Sequence, residues 1–190
     1  MAFSIQDTII IIGDSPFLSE VENTIHYINQ KYTTIGINRV IRKINTTYHI
    51  FVDEKILPYR NPSIPIITLA LYGDLITNKE VLINTFSYKF DEDKRIFKDN
   101  KLAWCGFTHD YAISYCIWKG YKNIILIGAA DFIEGKHYSN NETFSYSEIL
   151  EKNSKKFIEE VCSNYVNIYT CNPNSKLNIP YIPIQKVLDN

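Results

Sequence analysis

Five branched residues in a row, Thr8-Ile9-Ile10-Ile11-Ile12, run directly into Gly13-Asp14-Ser15-Pro16. A continuous run with no polar alternation predicts a strand buried on both faces, as in parallel sheets. Ser15 has an N-cap side chain, and Pro16 has the fixed φ of a first helical position. Beyond them Leu18, Val21, Ile25 and Ile28 recur at spacings of three and four, with Glu20, Glu22 and Asn23 off the stripe, so an amphipathic helix is expected. Strand, tight turn and helix in this order leave the helix's free N–H groups pointing into the turn. That geometry binds anions and nucleotides.

The same alternation continues. Strands are expected at about Thr33 to Ile37 and Tyr48 to Val52, a Pro-interrupted loop at Pro58 to Pro65, and an apolar run at Ile66 to Leu71. Residues 73 to 100 read least clearly. There Phe86, Tyr88 and Phe90 alternate like an exposed strand or hairpin arm, and Asp91 to Lys94 is a charged turn. A helix follows at Asp110 to Lys119 with Gly120 as its stop, then a buried strand at Asn123 to Ile127. Phe132 to Thr143 is polar and reads as mobile, Ser147 to Cys162 as helical, and about Val166 to Tyr169 as a last strand. Strands alternating with helices imply right-handed crossovers. The expected fold is α/β: a three-layer Rossmann-like domain over residues 1–190 with a mostly parallel sheet and a short lid over 132–146.

The strand ends carry the functional signal. Asp14, Asn38, Asp53, Asp131 and Asn172 each lie just past the carboxyl end of an expected strand. In an open parallel sheet those ends line one edge, where ligands bind. Asn and Asp also favour turns for local reasons, but five together point to a site.

Composition narrows the partners. The 190 residues carry a net charge of -1, which gives no electrostatic case for nucleic acid. No stretch approaches the roughly 20 apolar residues of a spanning helix, and the N-terminus does not resemble a signal peptide. Cys105, Cys116, Cys162 and Cys171 form no C-x-x-C pair. A cytoplasmic protein with reduced thiols is expected. Parallel sheets of this kind often pair through helices, so a homo-oligomer is compatible with the sequence.

Gly13-Asp14-Ser15-Pro16-Phe17-Leu18 resembles the first turn of the Campylobacter-type bacterial sialyltransferases, glycosyltransferase family 42. In order along the chain, Ile37-Asn38-Arg39, Phe51-Val52-Asp53, Thr108-His109, Gly120-Tyr121-Lys122-Asn123-Ile124, Ala129-Ala130-Asp131-Phe132 and Cys171-Asn172-Pro173-Asn174-Ser175 are similar to that family's later blocks. The same blocks occur in motility-associated glycosyltransferases and a related archaeal pterin pyrophosphokinase. In those proteins a histidine follows the acidic strand end by several positions, as His137 follows Asp131 here. There are departures. Ser15 stands where the sialyltransferases have a second turn glycine, Asp14 where they have a nucleotide-contacting asparagine, and the lid is shorter.

The resemblance implies a metal-independent transferase that takes a nucleotide sugar, with a CMP-linked donor expected, and transfers it to a glycan or other hydroxyl acceptor. Such chemistry needs a base for the acceptor hydroxyl, and histidine titrates near neutrality. His137 is the expected base, with Tyr138 and Tyr146 as phosphate donors from a closing lid. His109 is the second candidate, because Thr108-His109 precedes a helix N-terminus where a phosphate could rest. Asn38 and Asp53 are candidates for base and ribose recognition, or simple strand terminators. Asp14 would bond a ribose hydroxyl or cap the helix, since a carboxylate beside a phosphate is unfavourable. Asp131 would position acceptor or ribose, or satisfy the next loop. Asp91-Glu92-Asp93 has a metal-motif spacing but lies away from the strand ends, His26 reads as structural, and His49 reads as core or sheet edge. Two other readings remain: a non-catalytic nucleotide-binding module, and a Mg-ATP-dependent pyrophosphokinase.

Overall fold

The computed structural model of the chain describes residues 3–76, 79–90, 92, 95–139, 141–145 and 147–190. In chain order the elements are β1 (Thr8–Ile12), α1 (Leu18–Lys31), β2 (Thr33–Ile37), β3 (Tyr48–Ile50), β4 (Ile66–Thr68), β5 (Lys79–Leu82), β6 (Asn84–Ser87), β7 (Phe97–Lys98) and β8 (Lys101–Trp104). They continue as α2 (Thr108–Trp118), β9 (Asn123–Ile127), β10 (Gly135–Lys136), β11 (Thr143–Phe144), α3 (Glu148–Lys156), β12 (Asn167–Thr170) and α4 (Ile184–Leu188). Among the described residues, seven strands form one sheet in the order β12-β9-β1-β2-β3-β4-β5. Each pairing in it is parallel. The chain moves outward from β1 through β2 to β5, then returns to place β9 on the other side of β1. The strand order therefore reverses at β1, and the edge above β1 and β9 is the topological switch point where such sheets open a crevice.

All five residues of β1 are buried. Ile10 and Ile12 face the apolar stripe of α1, where Leu18, Val21, Ile25 and Ile28 are buried as expected. Ile9 and Ile11 face α2 and the 157–162 segment. The result is the expected three-layer α/β domain with a parallel sheet. An additional small sheet, β6-β8-β7, covers the outer side of α2. Helix α2 is thus enclosed all round, with Thr108 through Cys116 buried. Its polar groups find partners inside: the Tyr111 hydroxyl donates to the Ile83 carbonyl at 2.6 Å and the Ser114 hydroxyl to the Ala103 carbonyl at 2.7 Å.

Several expectations are corrected. The alternation at Phe86, Tyr88 and Phe90 is no exposed hairpin arm. β6 pairs in parallel with β8, Tyr88 is buried, and Phe86 and Phe90 pack on the core, because this segment roofs α2. The run from Ile66 is a strand only to Thr68, after which Ala70–Leu75 winds into a 3₁₀ helix. The third strand ends at Ile50, not Val52, and the last one is Asn167–Thr170. Helix α1 begins at Leu18, because Leu18, Ser19 and Glu20 donate to the carbonyls of Ser15, Pro16 and Phe17 in a tight turn. Helix α2 begins two residues early, because the Asp110 carboxylate accepts the Phe107 N–H. The expected helix to Cys162 stops being α-helical at Lys156 and continues as a π turn over Phe157–Val161. The wider turn lets the adjacent Phe157 and Ile158 both enter the core. α4 was not foreseen. It is tied to α1 and its end by Lys31 Nζ on the Leu188 carbonyl at 2.7 Å and by the Tyr32 hydroxyl on that of Val187. Asp91, Asp93 and Tyr146 lie outside the described residues. No described helix is long and apolar enough to cross a membrane.

The fold closes around one glycine. A Cβ at Gly13 would stand 2.2 Å from the Gly128 carbonyl oxygen and 2.6 Å from Ala129 Cα, both backbone atoms with nowhere to go. Gly13→Ala is therefore expected to destabilise the protein by about 2–3 kcal/mol, read as a lower urea midpoint with an unchanged m-value.

Candidate functional site

The carboxyl edge of the sheet opens into a cleft of about 880 Å³. Its first wall is the pair of turns that follow β1 and β9. Gly13 N–H donates to the Ile127 carbonyl at 2.9 Å and Ser15 N–H to that of Gly128 at 3.1 Å, so the two turns are stitched together. Gly128 has φ +64°, which suits glycine, but Ala130 (+55°) and Phe132 (+53°) also sit in the left-handed region. Asn38, just past β2, does the same at +53°. Three non-glycine residues in that conformation at one sheet edge mark a place where the fold sustains local strain, as functional sites do.

Asn38 is fixed from two sides. Its side-chain oxygen accepts the Thr108 hydroxyl at 2.9 Å, and its carbonyl faces His49 Nε2 at 2.6 Å. Burial pushes the His49 imidazole down to about 4. The ring is therefore neutral at pH 7, and Nε2 donates to that carbonyl. Thr108 and His109 open α2 on the cleft's second wall, and their peptide N–H groups have no acceptor among the described residues. His109 is buried, stacked on Phe107 with ring centroids 5.0 Å apart and edge-on to Phe132. Its Nε2 lies 3.0 Å from the Ser154 hydroxyl, which itself donates to Asp110. Ser154's proton being committed to the carboxylate, His109 Nε2 must be the donor to Ser154. Burial pushes the His109 imidazole down to about 3. Asp110 also accepts the Cys105 and Phe107 N–H groups, yet burial pushes it up to about 6.

The described residues of the flap, 132–139 and 141–145, flank the cleft, which His137, Glu142 and Ser145 line. The flap contains the β10–β11 hairpin and is tied to the body at three points. Arg39, one residue past Asn38, pairs with Glu142. Lys43 Nζ donates to the Tyr138 carbonyl at 2.7 Å and lies over the Tyr138 ring. Asp14 accepts the Ser139 N–H at 2.8 Å and the Ser139 hydroxyl at 2.7 Å, with His137 Nδ1 3.3 Å away. Burial pushes the Asp14 carboxyl up, against the opposing pull of Ser139, His137 and Arg39.

The cleft thus gathers Asp14, Ser15, Asn38 and Asp53 from the ends of β1, β2 and β3, Thr108 and His109 from α2, and His137 from the flap. Asp53 is at the exposed rim, where it accepts the Lys55 N–H. Four expected site residues stand behind the walls rather than on them. Gly13 packs against the β9 turn. Asp131 is buried and accepts the Ser15 hydroxyl at 2.8 Å. Burial pushes its carboxyl up, and the side chains of Asn172, Ser15 and Ser175 oppose that, although among the described residues Oδ1 makes no hydrogen bond of good geometry. Asn172 is buried and accepts the Asn174 N–H in its own turn. Tyr138 faces away from the cleft, buried in the cluster around α1, with its hydroxyl beside Glu22. Ser15 does not cap α1: the helix starts after Phe17 with no side-chain cap, and the Ser15 hydroxyl is turned to donate to Asp131. Arg39, Glu142, Ser139 and Lys43 escaped the sequence reading. Only Arg39, adjacent to Asn38, carried any signal.

No family model matches the chain, and neither does any curated protein. Among solved structures, it is similar to a MAf glycosyltransferase from Magnetospirillum magneticum AMB-1, with a TM-score of 0.67 at 13% sequence identity. The match covers 97% of this chain and 35% of that one, so the chain spans about a third of its solved relative's length. At that identity, the likeness establishes a shared fold.

The two buried imidazoles make a measurable contribution to pH dependence. The folded chain keeps His49 and His109 neutral, whereas the unfolded chain protonates both near pH 6.5. The stability they lend is whole above pH 6.5 and is lost as the pH falls below it. Neither imidazole resonance is expected to titrate between pH 8 and pH 5. His109→Gln should reduce the proton uptake on unfolding by about one near pH 5.5, which is about 1.4 kcal/mol per pH unit in the slope of unfolding free energy.

Proposed function

We propose that the cleft binds a nucleotide sugar and that the chain is a glycosyltransferase-like domain moving the sugar to a hydroxyl acceptor, with His137 as general base. The observation that carries this reading is the convergence of the strand-end residues, the α2 N-terminus and a flap histidine on one cleft at the switch point of a parallel sheet. The shared fold with a MAf glycosyltransferase supports it.

The two cleft histidines differ in what they can do. His109 is buried, neutral, and spends its N–H on Ser154. It cannot take a proton near neutral pH. His137 lies in the flap with its side chain 31% exposed and a carboxylate beside it. A base must be reachable and must have somewhere to shed the charge it gains, and His137 meets both conditions. The leaving phosphate would lie toward Thr108 and His109, where peptide N–H groups with no acceptor among the described residues and the positive end of an 11-residue helix would supply stabilisation. In this reading Asn38 and Asp53, which line the cleft, would meet the nucleoside. A CMP-linked donor is the specific form of this reading that the sequence resemblance favours.

Thermal unfolding tests the reading. CMP at a hundredfold excess over its Kd is expected to stabilise the fold by about 2.7 kcal/mol, which raises Tm by about 5–10 °C for a chain of this size. His137→Ala should abolish turnover of CMP-sialic acid while leaving the CMP shift in place. Absence of any shift with cytidine or uridine nucleotides at millimolar levels sinks the proposal. A shift with ATP that requires Mg²⁺ transfers the case to a pyrophosphokinase, and binding without turnover to a non-catalytic module.

A further inference from the structure

We propose that Asp14 is the positioning residue of His137, holding its imidazole in the Nδ1–H tautomer so that the Nε2 lone pair meets the cleft. The inference deepens the reading of His137 as base and rests on it for its catalytic meaning, but its geometry stands apart from any substrate.

Asp14 engages three consecutive residues of the flap. Its own carbonyl accepts the Tyr138 N–H at 3.1 Å, its Oδ1 accepts the Ser139 N–H, and its Oδ2 accepts the Ser139 hydroxyl. The same Oδ2 lies 3.3 Å from His137 Nδ1. The hairpin closes the other side of His137: its N–H donates to the Glu142 carbonyl, and its carbonyl accepts the Asn141 N–H, each at 2.9 Å. The backbone on both sides of the imidazole is therefore fixed, and the ring is set against a residue that belongs to the rigid end of β1.

An ionised carboxylate only accepts hydrogen bonds, and a neutral imidazole carries one N–H. Placing Asp14 beside Nδ1 selects the form in which Nδ1 bears that hydrogen and Nε2 bears the lone pair. Nδ1 is shielded from solvent although the side chain is 31% exposed, so the exposed part of the ring is not its Nδ1 atom. The reaction then balances. The acceptor hydroxyl gives its proton to Nε2 as its oxygen bonds to the anomeric carbon of the sugar. The bond from that carbon to the phosphate oxygen breaks, and the phosphate leaves with the electron pair. The imidazolium so formed faces the Asp14 carboxylate, which stabilises the new charge.

This role also accounts for an acidic residue at a turn that approaches an anion site. Both oxygens of Asp14 are occupied by the flap, so the carboxylate serves the flap rather than a ribose hydroxyl.

The test uses the full chain labelled with ¹⁵N-histidine, with long-range ¹H–¹⁵N spectra and the His137 signals assigned through His137→Gln. The expected result is an Nδ1–H tautomer for neutral His137 in the unmodified chain. In Asp14→Asn, the carboxamide can turn an N–H toward Nδ1, and the tautomer should reverse to the Nε2–H form that imidazoles favour in water. Ser139→Ala weakens the flap anchorage but leaves the carboxylate in place, and should keep Nδ1–H. An Nε2–H tautomer in the unmodified chain, or Nδ1–H persisting in Asp14→Asn, overturns the proposal. With CMP-sialic acid as donor, Asp14→Asn should lower kcat on the order of 100-fold and leave CMP affinity within about threefold; an unchanged kcat also overturns it. If CMP neither binds nor turns over while the tautomer still follows Asp14, the nucleotide reading fails and the positioning role stands.

Discussion

The site depends on two backbone turns approaching closer than any side chain would allow. Gly13 and Gly128 leave room for the turns after β1 and β9 to exchange hydrogen bonds, and the seam they form lies at the point where the strand order reverses. Two consequences follow from that contact. Ser15 is brought against Asp131, which fastens the far ends of the two turns, and Asp14 is left pointing toward the flap. An alanine in place of Gly13 would separate the turns by the width of a methyl group, and the cleft wall would separate with them. The geometry of the flap histidine is thus inherited from a packing constraint on residues that carry no chemistry.

The opposite wall obeys a different rule. Helix α2 is enclosed between the main sheet and the β6-β8-β7 sheet, so the buried polar side chains on it need internal partners. Asp110, Ser154 and His109 form one such chain, and Thr108, Asn38 and His49 form another. Both chains consist of groups whose donor and acceptor roles are already assigned, which makes this wall stiff. The flap side is held by a mixture of contacts: part-buried hydrogen bonds from Tyr138 and Ser139 to Asp14, and the more exposed pair of Arg39 with Glu142 at the cleft mouth. Exposed pairs of the second kind are individually weak.

What could be seen in the sequence followed from local physics. The β1 run, the α1 stripe and the β9 run are each dictated by burial on a regular period, and they lie where expected. The strand-end positions of Asp14, Asn38, Asp53 and Asp131 were legible for the same reason. Residues 84–104 were not, because β6, β7 and β8 owe their form to the α2 surface they cover, and Tyr88 is buried by a contact with Phe157 that lies 69 positions away. The individual roles were hidden by the same kind of distance. Nothing near Asp14 announces Ser139, 125 positions later, and nothing near Ser15 announces Asp131. Tyr138 was expected to face the cleft because a tyrosine hydroxyl can donate to a phosphate, but it sits in a turn after His137 that carries its ring into the cluster around α1.

The distribution of charge in the cleft bears on how a nucleotide sugar would lie in it. Among the described residues, Asp14, Asp53, Glu54 and Glu142 line the cleft with Arg39 and Lys55 as fixed cations. Two like charges 4 Å apart repel by about 4 kcal/mol at an effective dielectric of 20, so a phosphate cannot share the Asp14 corner. Asp14 and Glu142 are already matched, by Ser139 and His137 and by Arg39, which limits their reach. The α2 end offers the reverse balance: peptide N–H groups with no acceptor among the described residues, a helix dipole and a neutral imidazole. On the proposed reading, an anionic leaving group would lie at Thr108 and His109 and a neutral hydroxyl beside His137, on opposite walls with the sugar between them. A direct displacement needs that separation, because the incoming oxygen and the departing one must approach the anomeric carbon from opposite faces.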